Sequence, residues 1–170
     1  GAILLSEHLP TLRRVLPDPT AVAAAGSESP LLRLAPPGSA RLELPTPVRV
    51  RAIPKWGEAR MLRIALLKPG GGQVTIELED DQPRDKPAIY ALGQRGPAVE
   101  HANHIWAERL PNEWIVITRD LFADFGNIDL KAITLTAEGG EAAQIGSLDL
   151  ARARADLNLL PVVGQASGRP

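Results

Sequence analysis

Two histidines three residues apart are the best candidates for metal chemistry in this sequence. They are His101 and His104, with Glu100 and Glu108 on either side. On a helical turn, positions i and i+3 share a face, and two imidazoles there could grip one ion. In an extended loop they point apart. The third histidine, His8, is remote, and there is no cysteine, so nothing completes a zinc set. A second candidate is the acidic run Glu77-Leu78-Glu79-Asp80-Asp81, with Asp85 beyond it. Its oxygens suit Ca²⁺. A glycosidase pair would need carboxylates from separate elements facing one cleft, which a single run does not establish.

Covalent catalysis has little to work with. The sequence has neither a Gly-x-Ser-x-Gly elbow nor a thiol. Gly70-Gly71-Gly72 lacks the Gly-Lys-Ser/Thr ending of a phosphate loop and opens no helix, so it reads as a hairpin. The expectation is a protein that binds and does not catalyse. Aromatic residues make up only 4% of the chain, so the few large ones matter. Trp56, Tyr90 and Trp106, with His101 and His104 near the last, could form a ligand or partner face. Arg49 and Arg51 add a basic strand face of the kind found at interfaces.

These residues need a scaffold, and the pattern of the chain describes one. At 170 residues it suits one domain with tails. Sixteen prolines and fifteen glycines mark many turns. In Val48-Arg49-Val50-Arg51-Ala52-Ile53 apolar and basic residues alternate, as in a half-buried strand. Gln73 to Glu79 alternates as cleanly, with Val74, Ile76 and Leu78 facing in. Further strands are expected over 60–67, 88–92, 113–118, 130–136 and 143–151, with a short one near Ile105-Trp106. Asp120 should cap a helical turn reaching Phe125, with Phe122 and Phe125 plugging the end of the core. Trp114 reads as a core aromatic and Gly126 as a positive-φ residue. Seven or eight short strands separated by turns make an all-β antiparallel sandwich.

Residues 1–39 read as a Pro-rich arm. Asp18-Pro19 through Gly26 has the cap, first-turn proline and terminating glycine of one short helix. Leu9, Leu12, Val15, Leu16, Leu31, Leu32 and Leu34 are too apolar for a solvated linker. The arm either packs on its own domain or lies on a partner. Residues 154–170 read as a polar C-terminal tail. The start at Gly1, with no initiator methionine, is expected to be a processed N-terminus. Net charge is −1, which disfavours a nucleic-acid partner. No stretch reaches the length of about 20 apolar residues that spans a bilayer.

The second half carries a resemblance. Glu113-Trp114-Ile115-Val116-Ile117-Thr118-Arg119-Asp120-Leu121-Phe122-Ala123-Asp124-Phe125-Gly126, then Leu130 to Thr136, then Ile145 to Arg152, is similar to the carbohydrate-binding modules of the jelly-roll type. Glu58 to Gly72 resembles the first-half signature of bacterial extracytoplasmic domains with a galactose-binding-like jelly roll. The resemblance covers residues 40–153 and implies a non-catalytic recognition domain outside the cytoplasm, in the periplasm. It also implies a structural calcium held partly by a last-strand aspartate, a position Asp149 matches, with Asp80 as the second carboxylate. Because of the apolar arm, the leading functional expectation is an accessory subunit. Its arm, tail and loops would dock onto protein subunits of a larger complex, which could be a membrane-embedded bioenergetic one. A carbohydrate-binding module that binds polysaccharide is the alternative.

Overall fold

The computed structural model describes residues 12–16, 32–93, 104–107 and 110–162, with the backbone alone for 104–107. The elements in chain order are β1 (Leu12–Leu16), β2 (Leu32–Leu34), β3 (Gly38–Val50), β4 (Met61–Leu67), β5 (Gln73–Asp80) and β6 (Ala88–Gly93). Then come β7 (His104–Ala107), β8 (Ile115–Asp120), the single-turn helix α1 (Leu121–Phe125), β9 (Ile128–Glu138) and β10 (Ala143–Ala151). A 3₁₀ helix, Arg154–Leu159, follows.

The strands form two sheets. One runs β1-β10-β4-β8, with β2 also on β10; the other runs β3-β9-β5-β6-β7. Side chains from both sheets meet in one core that includes Leu62, Ile64, Leu66, Ile76, Ile133 and Leu148. Take β2, β3, β4, β5, β6, β8, β9 and β10 as the eight framework strands. One sheet then runs in the order first, last, third, sixth, and the other second, seventh, fourth, fifth. That is the double Greek key of a jelly roll. The pairing is antiparallel except that β7 runs parallel to β6.

Local sequence explains most elements. In β5, Val74, Ile76 and Leu78 are buried while Thr75, Glu77 and Glu79 face outward, as period two demands. β4 is buried on both faces, because the tail covers the side turned away from the core. Leu12, Met61, Ala151, Leu157 and Leu160 make that second apolar cluster. Asp120 accepts from the Ala123 N–H as the N-cap of α1, and Gly126 ends the turn at φ +75. Phe122 and Phe125 pack partly buried against the core, as expected. Trp114 is half-buried. The two glycine turns, 70–72 and 139–140, stack against each other. The buried Lys68 ammonium joins them, donating to the Gly71 and Gly139 carbonyls at 2.6 and 2.5 Å. Burial pushes the Lys68 pKa down, against the pull of Glu141.

Three expectations change. β3 begins at Gly38, and β1 and β2 pair with β10, so the sandwich reaches back into the arm. At the other end, Leu157 and Leu160 are buried, so part of the tail belongs to the same body. The strand through Val48 stops at Val50, because the chain turns at Ala52-Ile53, and Ile53 is 87% exposed. The expected helix over residues 18–26 lies outside the described residues. No helix among the described residues is long and apolar enough to cross a membrane.

Candidate functional site

Trp56 stands at the tip of a short closed loop between β3 and β4. The loop is pinched at its base, where Ala59 N–H donates to the Arg49 carbonyl at 2.9 Å and Arg51 N–H donates to the Ala59 carbonyl at 3.1 Å. At the tip, Glu58 N–H donates to the Lys55 carbonyl at 3.0 Å, closing a four-residue turn. Gly57 sits third in that turn at φ +83, the place a type II turn reserves for glycine. The Glu58 carboxylate accepts from the Lys55 N–H at 2.9 Å and locks the turn a second time.

Trp56 is 68% exposed in spite of this rigid mount. The Arg152 guanidinium lies 5.0 Å from the centroid of its ring, and its Nε donates to the Pro54 carbonyl at 3.2 Å. One cation from the end of β10 thus backs one face of the indole and holds the loop that carries it. The opposite face is left to solvent.

Beside the indole lies an open cleft of about 510 Å³, bordered by Arg49, Glu58, Asp81, Gln82 and Asp129. A larger cleft of about 670 Å³ adjoins it, sharing Gln82 and Asp129. The β5–β6 loop and the link from α1 to β9 form its walls, and Arg84 staples them together. Its guanidinium donates to the Asp80 carboxylate and to the carbonyls of Lys86, Phe125 and Asn127, at 3.1–3.3 Å. Asp129 is held by Arg51 at 2.7 Å, and its N–H donates to Asp80 at 3.0 Å.

Of the residues singled out in the sequence, Trp56 and Arg49 border the first cleft. Arg51 lines the second, but its guanidinium is committed to Asp129 and to the carbonyls of Val50 and Ile128. Tyr90 is a correction. It is 1% exposed, its hydroxyl donates to Asp124, and its ring meets Phe125 at 4.9 Å. Burial, then the bond to Asp124, pushes its pKa up. Tyr90 is framework because position 90 on β6 faces the space between the sheets. His101 lies outside the described residues. His104 and Trp106 fall on β7, where the backbone alone is described.

The calcium reading does not fit its two carboxylates. Asp149 is fully buried and lies between Arg63, at 2.6 Å, and Arg14, at 2.8 Å. Two guanidiniums use its lone pairs and would repel a second cation. Asp80 ends β5 in the opposite sheet, where it accepts from Arg84 and from the N–H groups of Gln82 and Asp129. Among the described residues, no cluster of three acidic or histidine side chains could hold a metal. The sequence missed Gln82 at the junction, Asn127 in the larger cleft and the prop Arg152. An exposed Trp before a Gly was the signal for the turn, but nothing local pointed to the β10 residue behind it.

No family model matches the chain, and neither does any curated protein. Among solved structures it is similar to a carbohydrate-binding module, TmCBM61, determined in complex with β-1,4-galactotriose. The identity is 18%, with 84% of this chain and 83% of that chain covered and a TM-score of 0.38.

Proposed function

We propose that this jelly-roll domain is a non-catalytic carbohydrate-binding module that works at the groove beside Trp56. The supporting observation is the rigidly mounted, exposed indole next to an open polar cleft. A flat apolar ring can stack on the apolar face of a pyranose, while Arg49, Glu58 and Gln82 offer donors and acceptors to its hydroxyls. Catalysis finds no support in the groove, since Asp80 and Asp129 are tied to Arg84 and Arg51 and are not poised as acid and base. The reading carries an extracytoplasmic, periplasmic location with it, where polysaccharide would be met.

Docking onto protein subunits of a larger complex is the second reading. The apolar arm argues less for it, because β1 and β2 spend their apolar residues on the domain's own sheet. Ile53, exposed on the same loop as Trp56, is what still favours a protein partner.

Affinity electrophoresis through gels containing neutral polysaccharides separates the two. The wild type should be retarded by at least one polymer. Trp56→Ala should lose that retardation, at a cost of at least tenfold in affinity, about 1.4 kcal/mol. Wild-type mobility unchanged in every gel, with capture of a protein that depends on Ile53, would replace the first reading by the second.

A further inference from the structure

We infer that the groove takes the interior of an extended, uncharged glycan chain, lying from Trp56 across Gln82 to Asn127; this rests on the carbohydrate reading above. The two clefts meet along Gln82 and Asp129 and make one open channel. At about 510 and 670 Å³, each alone has the size of a whole small-ligand pocket. A single sugar at the indole would leave the larger cleft empty. An open channel of this length accepts the interior of a polymer.

The larger cleft is also built before any ligand arrives. Arg84 bonds to four groups on both walls, and Arg51 and Asp80 fix Asp129 at the junction. Walls already held in place spare the ordering cost that a loose site would charge against affinity. The exposed Gln82 amide, at the junction, is placed to serve a unit in either cleft.

Charge selects among chains. Arg49, Arg51, Arg84 and Lys86 line the channel against six carboxylates, and Arg119 on Asp124 and Lys131 on Asp81 offset the other two. Four of the six (Glu58, Asp80, Asp124 and Asp129) are already paired with arginine. A polyuronate or sulfated chain would find no surplus of positive charge here to offset its own, so the channel suits an uncharged one.

The test is calorimetric titration with neutral β-1,4-linked gluco-, manno- and galacto-oligosaccharides of one to six units, alongside oligogalacturonates and chitosan oligomers. In the series that binds, affinity should rise at least tenfold from two units to four. Asn127→Ala and Gln82→Ala, both at exposed positions, should weaken the four-unit ligand at least fivefold. Asn127→Ala should weaken the four-unit ligand more than the two-unit one. Affinity that is flat beyond two units, or tighter binding of a charged oligomer, overturns the inference. If Trp56→Ala still abolishes binding in that case, the carbohydrate reading survives without it. If Trp56→Ala binds like the wild type, or no oligosaccharide binds, both fall.

Discussion

Replacing Asp149 with alanine should be the most damaging single change to this fold. The carboxylate is fully buried and accepts from Arg63 at 2.6 and 3.1 Å and from Arg14 at 2.8 Å. The same two arginines reach the tail: Arg63 donates to the Leu157 and Leu160 carbonyls, at 2.6 and 3.2 Å, and Arg14 to that of Pro161. Asp149→Ala would leave two guanidiniums facing each other with no anion between them. Breaking a buried pair in this way costs about 3–5 kcal/mol. A domain of this size holds roughly 5–15 kcal/mol in all. Chemical unfolding in urea, followed by far-UV circular dichroism at pH 7, measures the loss. With a slope of about 2 kcal/mol/M, the midpoint should fall by about 2 M. Hydrogen exchange should show β1 and residues 154–160 losing protection first, since both are tied to that one carboxylate. The double variant Asp149→Leu with Arg63→Met should recover part of the loss, because it removes charge from both sides. A loss under about 1 kcal/mol, or one spread evenly over the sandwich, would refute the reasoning. So would a melting temperature of the wild type that drops on chelation with EDTA, which would mean that Asp149 serves a cation after all.

Two further outcomes follow from local geometry. Burial opposes ionisation of Asp120, but the Arg60 guanidinium and the Ala123 N–H outweigh it and hold the carboxyl below its ordinary value. Such a group stabilises the fold above its unfolded pKa and loses that effect as pH falls through the folded one. Asp120→Asn keeps the cap and removes the charge, so it should cost about 1 kcal/mol at pH 6 and progressively less below pH 4 in urea titrations. A gap that does not shrink with acid would contradict this. In the glycine turns, Gly72 has φ +87, and a Cβ there would lie 2.3 Å from the Glu138 carbonyl oxygen; Gly71 has φ +76 and open space around it. Gly71→Ala should therefore cost about 1–2 kcal/mol, from backbone strain alone. Gly72→Ala should cost several more or fail to fold, and equal melting temperatures for the two would disprove the contact.

What the sequence revealed depended on how far apart the partners lie. β5 was legible because alternation is a local property. The Gly70–Gly72 hairpin and the Asp120 cap were legible for the same reason. The first half of β3 was hidden by Pro45 and Pro47, which argue against a strand. β3 is an edge strand, where a missing N–H costs no ladder bond, and its register slips between Glu43 and Val48. β1 and β2 were hidden because five and three residues carry too little periodicity to read. Asp149 looked like a calcium ligand because its partners, Arg63 and Arg14, lie 86 and 135 residues away. Trp56 was legible as a candidate by residue type alone. The groove beside it was not, because its walls come from three separate connections that only the jelly-roll topology brings together.

The place of β10 in the sheet also sets the order in which the protein can be made. β10 lies between β4 on one side and β1 and β2 on the other, and of the strands described it is the last to leave the ribosome. Until it arrives, the N-terminal segments have no ladder to join and β4 lacks one of its two neighbours. A nascent chain therefore carries an open seam through one sheet until β10 is made. Pairing at such long separation also makes for slow closure. A chain released before Ala143 would keep the seam, with one edge of β4 open and β1 and β2 unpartnered, and would be prone to aggregate through it.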